Sequence, residues 1–157
     1  MDFITGIFGL GLGLGVILVC LAIIVAVYVF YSLSHMKALK ALGYDKAWLA
    51  WIPYASYFAC ADAVSQNEEN VMLFNKFSIP AIVFKLWWVL PIVISFLPLN
   101  ASLINIVNRV LYIVFLGCTY AKMYARIEGK TEEDTQVLGC VSGFLPIIAA
   151  CKFIGLK

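Results

Sequence analysis

Charge is what this chain has least of. Asp, Glu, Lys and Arg make up 13% of its 157 residues, against 64% hydrophobic ones, and the mean hydropathy is +0.97. Soluble domains run at about a quarter charged and about half apolar. A soluble chain this short has too little interior to hide the excess. Histidine is nearly absent too, His35 being the single one. No Cys-x-x-Cys pair exists: Cys20, Cys60, Cys118, Cys140 and Cys151 stand singly in apolar stretches and read as small core side chains. These absences exclude a metal set, and no cofactor is implied. No zinc-protease helix, no nucleophile elbow, no paired carboxylates within an apolar stretch and no serine at a recognisable spacing from a lysine base occur, so no enzyme is expected. A net charge of +2 is no nucleic-acid signature.

What remains is an integral membrane protein. Long apolar runs without alternation favour helices over a barrel. The first run, Phe3 to Leu33, holds no charge over 31 residues. It is too long for a cleavable signal peptide, and Asp2 before it is acidic. Four further runs follow: Ala47–Ala61, Ile79–Leu97, Ser102–Ala125 and Val137–Cys151. A spanning helix needs about 20 residues. The second and third of these are long enough. The first and last are short, and each carries a central proline, Pro53 and Pro146.

Basic residues gather on the cytoplasmic side of a membrane. With five crossings, Lys37, Lys40, Lys46, Lys152 and Lys157 lie opposite Lys76, Lys122, Arg126 and Lys130, which is no bias. If the two proline stretches re-enter from the cytoplasm, all nine lie inside. The expected fold is therefore an all-α membrane bundle, one domain over residues 1–157. It has three full spans and two proline-broken hairpins, re-entrant or lying flat at the interface. Four or five spans are the alternatives. The N-terminus falls outside and the C-terminus inside. A weak parallel repeat relates residues 1–64 to 100–157, joined by the span at 79–97: a long run, a basic segment closed by Gly43 or Gly129, then an apolar stretch ending in aromatic-aliphatic-proline. "TEED" from Thr131 reads as an N-cap and acidic first turn.

"ALKALGYDKAWLAWIPYASYF", "LWWVLPIVI" and "YARIEGK" followed by "GFLPII" resemble a family of small bacterial integral membrane proteins of unknown function, sometimes joined to a signal peptidase. The resemblance covers most of the chain. It implies a bacterial plasma membrane location and brings no activity with it. Ala55 and Ser56 stand where that family often has asparagine, and the loop at Thr131 is more acidic.

Two features remain. Ser102, Asn105, Asn108, Arg109, Tyr112 and Thr119 fall on one stripe at helical spacing. An intramembrane arginine on such a stripe faces a bundle interior or a wet cavity. It would line a pathway or attract an anion, unless it snorkels to headgroups or bonds hairpin carbonyls. Gly9, Gly11, Gly13 and Gly15 make two small-xxx-small pairs on opposite faces, which suits close helix neighbours in the same chain or another copy. Asp62 is a candidate partner for Lys85. The pattern points to an oligomeric channel or transporter-like pathway for a small solute or ion. Its alternative is an accessory or scaffold protein binding other membrane proteins. Expected partners are membrane lipid, further copies of the chain, or another membrane protein.

Overall fold

The longest element is α1, Phe3–Ala41, 39 residues or about 58 Å of helix. The structure is a computed structural model describing residues 3–66, 68–98 and 100–156, with side-chain surroundings from residue 13 onward. A 3-10 turn, Ala47–Trp51, is followed by α2 (Ala55–Val64), strands β1 (Asn70–Leu73) and β2 (Phe77–Pro80), and short helices α3 (Ala81–Lys85) and α4 (Val89–Ser95). A second long helix follows, built of α5 (Ala101–Leu111), a π-helical turn (Tyr112–Leu116) and α6 (Gly117–Glu128). Helices α7 (Glu132–Phe144) and α8 (Pro146–Ile154) complete it. The described sheet is one antiparallel hairpin, β1 with β2, so the all-α expectation holds.

Among the described residues two helices are long and apolar enough to cross a membrane, Gly13–Ala41 and Ala101–Glu128. The pair α7 and α8 would make a third only if it is one broken span, and it bends by 117°. The single helix expected over Ile79–Leu97 does not form. Ile79 and Pro80 belong to β2, and the rest is split between α3 and α4 at Leu86–Trp88. Pro91 supplies the reason: its ring has no N–H for the Trp87 carbonyl and crowds it. The chain tightens there instead, with Leu90 N–H donating to Trp87 O at 3.0 Å. The segment still climbs antiparallel to the second long helix. Phe84 packs against Phe115, Trp87 against Phe115 and Tyr112, and α4 reaches α5.

Both proline stretches turn back. The first leaves α1 through Gly43, whose φ of +71° only glycine adopts without strain. Gly43 N–H donates to Lys40 O and Tyr44 N–H to Leu39 O, both at 3.0 Å, a Schellman close. The chain returns beside α1, and the Tyr28 hydroxyl donates to Trp51 O. After Pro53, α2 comes back to the starting level, where the Tyr44 hydroxyl meets Asp62 Oδ2 at 2.7 Å. Arg126 of α6 caps α2 by donating to Val64 O (2.7 Å) and Ala63 O (3.2 Å). The second stretch behaves alike. Thr131 caps α7, its Oγ1 accepting from Asp134 N–H, and Glu132, Glu133 and Asp134 fill the first turn as the sequence suggests. Glu132 holds the buried Lys122 at 2.8 Å. At the far end of α8, Lys152 meets Glu128 at 2.5 Å, and Lys37 donates to Ile154 O at 2.9 Å. Both ends of the α7–α8 hairpin therefore lie at the C-terminal end of α6.

The tightest helix contact is α6 against α7. A Cβ on Gly139 would lie 2.5 Å from Gly117 O and 2.6 Å from the Ala121 Cβ, and one on Gly143 2.8 Å from Gly117 N. This Gly-x-x-x-Gly, with Gly117 opposite, brings two backbones together where packing and not water-driven burial must hold helices. The earlier glycine pairs are placed differently. Around Gly13 and Gly15 nothing lies within 4 Å of a would-be Cβ, so among the described residues none packs there. Gly9 and Gly11 lie outside the residues whose surroundings are described. Residues 13–27 of α1 are exposed on every face.

Gly139→Ala is expected to cost about 1–3 kcal/mol by overpacking, several degrees in melting temperature. Gly13→Ala should leave stability unchanged or raise it, since alanine favours helix by about 1 kcal/mol. Thermal melting in detergent checks both. A Gly139→Ala protein as stable as the parent would contradict the close contact.

Candidate functional site

The two hairpin tips meet. At the first, Ile52 is extended, Pro53 stops the 3-10 turn, and Tyr54 adopts φ 64°, ψ −40°. Ala55 N–H donates to Pro53 O at 2.8 Å, closing a three-residue γ-turn of the rare, strained hand. Such a conformation at a bulky residue costs about 1–3 kcal/mol and persists only where surroundings impose it. The Tyr54 ring packs on Tyr57 and Trp88. At the second tip Leu145 breaks α7, and Pro146 starts α8, where its missing N–H loses nothing.

Between the tips lies a cavity of about 350 Å³, lined by both prolines and by Tyr28, Tyr31, Tyr54, Tyr57, Tyr112 and Tyr120, with Ser32, His35, Ala50 and Ser56. His35 Nδ1 lies 2.8 Å from Tyr31 O, and its Nε2 lies 2.8 Å from the Tyr120 hydroxyl. A carbonyl only accepts, so Nδ1 carries a proton, while the Tyr120 hydroxyl can donate to Nε2 or accept from it. These two contacts fix the orientation of the imidazole, its ring stacked on Tyr31 and edge-on to Phe153. His35 lies just past the charge-free run that ends at Leu33, and no motif in the sequence marks it. A signal was present: Tyr28, Tyr31, Ser32 and His35 recur at i, i+3, i+4 and i+7, one helix face.

A second cavity of about 560 Å³ adjoins the first. Asn105, Asn108, Arg109 and Tyr112 line it on one side, Gly143, Phe144 and Pro146 on the other. Tyr112 and Pro146 belong to both linings. The Arg109 guanidinium sits 5.6 Å from the centre of the Phe144 ring, so it reaches the tip of the second hairpin. Lys85, Lys122, Arg126, Lys130 and Lys152 each meet a carboxylate within 3.3 Å. Arg109 meets none among the described residues. Asn108 Oδ1 is buried without a hydrogen-bond partner, a cost of about 1–3 kcal/mol unless something donates to it.

Four residues of the expected stripe thus come together and two do not. Ser102 stays at the start of α5, its N–H capped by Asn100 Oδ1 at 2.8 Å. Thr119 is buried, with its hydroxyl on Phe115 O at 2.7 Å. The π turn at Tyr112–Leu116 separates them. It holds more residues per turn than an α-helix and rotates everything after it off the stripe.

The candidate pair Asp62 and Lys85 is formed, at 2.7 Å. Partial burial alone would push the Asp62 carboxyl up, but the Lys85 ammonium and the Tyr44 hydroxyl outweigh it and hold the group below its ordinary value. No family model, curated protein or solved structure matches this chain.

Two outcomes follow from this geometry. At most sites glycine is less stable than alanine by about 0.4–1 kcal/mol. At position 54 the order should reverse, Tyr54→Gly melting above Tyr54→Ala, because only glycine relieves the positive φ. Equal or opposite melting temperatures would remove the strain. For Asp62, a depressed folded pKa gives stability that is present above the unfolded value and lost as pH falls through the folded one. Asp62→Asn should cost about 1 kcal/mol at neutral pH, and the gap should close as pH falls below about 4. A gap independent of pH would mean the pair contributes nothing.

Proposed function

We propose that this chain is a small membrane protein forming a pathway, or half of one in an oligomer, for a small solute or ion. One observation carries the reading: two proline-broken hairpin tips meet at a cavity that shares Tyr112 and Pro146 with the cavity beside Arg109. Irregular backbone at membrane depth is tolerated where it is covered by protein or lines a wet cavity. Broken elements meeting near mid-membrane are how many transporters build a binding site.

On this reading α1 and the second long helix cross the membrane in the same direction, and the two hairpins re-enter from the cytoplasm. The broken α3–α4 segment is the return passage, thinner than a full span. Lys37, Lys122, Arg126 and Lys152 all stand at the end where the hairpin bases lie, which supports placing that end inside. Lys157 lies outside the described residues. The two halves then follow one plan, as a parallel repeat would.

One observation favours the second reading, an accessory or scaffold protein. The bare stretch of α1 over residues 13–27 offers glycine faces to another molecule.

Proteoliposomes loaded with potassium, chloride, glycerol or amino acids separate the two. The pathway reading expects efflux of at least one solute above protein-free vesicles. Ser56→Phe, which fills the cavity between the tips, should cut that efflux by about tenfold or more. Efflux equal to empty vesicles for every solute would leave the scaffold reading. A cysteine at position 132, in a cysteine-free background, should resist impermeant thiol reagents added outside. Labelling there would reverse the orientation.

A further inference from the structure

We infer that the two adjoining cavities bind a small monoanion with an uncharged, ring-sized body, Arg109 and Asn105 holding the anionic oxygens and the tyrosine cavity taking the body across the boundary formed by Tyr112 and Pro146. The inference rests on the pathway reading for its meaning and on charge for its chemistry.

Arginine keeps its proton at every accessible pH, so Arg109 brings a permanent positive charge to the cavity wall. The described linings of both cavities hold no aspartate or glutamate to answer it. Five other cations meet carboxylates, whereas Arg109, like Lys37, Lys40, Lys46 and Lys76, meets none among the described residues, and it lines a cavity. The Arg109 guanidinium carbon lies 5.6 Å from the centre of the Phe144 ring, and an aromatic ring accepts no in-line hydrogen bond from the guanidinium fork, whose N–H groups have no carboxylate among the described residues. A carboxylate or phosphate matches that fork, with charge-assisted bonds about twice as strong as neutral ones. The Asn105 amide adds a donor on the same wall.

Beyond Tyr112 the lining changes from charge to rings. Tyr31, Tyr57 and Tyr120 surround a space that Pro53 and Pro146 close. Ring faces and hydroxyls suit a flat, uncharged body. They would also suit an organic cation, as aromatic cages do. Arg109 across the shared wall repels that class and selects the anion.

Benzoate, benzyl alcohol and benzylamine share one ring and differ in charge. They are titrated calorimetrically into the full chain in phosphatidylcholine nanodiscs. Benzoate should bind at least about tenfold more tightly than the other two. Arg109→Gln should abolish that preference and Arg109→Lys should keep part of it. Ser56→Phe should weaken all three. Benzylamine binding best, equal binding of all three, or a benzoate preference unchanged in Arg109→Gln would each overturn the inference. Should Arg109→Gln fail to fold, the charge series on the parent protein and Arg109→Lys decide.

The same anionic oxygens are found on lipid headgroups. Nanodiscs containing phosphatidylglycerol distinguish the sources. Benzoate binding that persists supports a free solute as occupant, and competition by the lipid supports a headgroup in the same anion site. A preference for benzoate without any solute efflux would sink the pathway reading alone. Efflux without that preference would sink this inference alone.

Discussion

The approach of α7 to α6 is the contact on which the rest depends. Gly139 and Gly143 let the two backbones meet at distances no other residue allows, with Gly117 opposite. That seating brings the end of α7 to the level of Arg109 and turns α8 down beside α1. Phe153 of α8 then fills the space between His35, Tyr120 and Tyr124. Were α7 held a side chain further away, Pro146 would not reach the wall it shares with Tyr112. The two cavities would then no longer adjoin.

Ion pairs fix the other end. Lys122 with Glu132, Lys152 with Glu128 and Arg126 on the carbonyls of α2 tie both hairpin bases to the C-terminal half of α6. The molecule is pinned by charge at one end and by close backbone packing along α6. Its irregular tips are set between these constraints. This explains how a γ-turn at Tyr54 persists: Tyr57 and Trp88 hold the ring while α2 is anchored below.

The bare half of α1 is the counterpart. It has apolar side chains on every described face, and residues 13–27 are exposed among the described residues. Lipid satisfies such a surface without any partner, because its chains are as apolar as leucine. Glycine adds only the option of a close neighbour.

Much of this was legible in the sequence. The scarcity of charge, the long apolar runs and the two central prolines pointed to a helical membrane protein with broken segments, although one of the three runs long enough to span is broken as well. Thr131 marked a helix start, Gly43 and Gly129 marked helix ends, and Asp62 was matched to Lys85, because these are local signals or single complementary charges. The stripe from Asn105 to Tyr112 was legible as far as the α-helical period held. Thr119 left it because a π turn changes that period, and no residue there announces one. Pro91 stands within the run Ile79–Leu97, and it breaks the helix there without making the run less apolar, so length and hydropathy alone do not reveal the break. Which glycines pack was decided only by the tertiary structure. The two small-xxx-small pairs at residues 9–15 look stronger on paper than Gly139 and Gly143. A glycine pair is permission for close approach, and whether a neighbour arrives depends on where the chain goes next. His35 and six tyrosines come from four separate elements, and only folding puts them around one space. Composition and period are properties of neighbours along the chain, whereas a cavity is a property of neighbours across it.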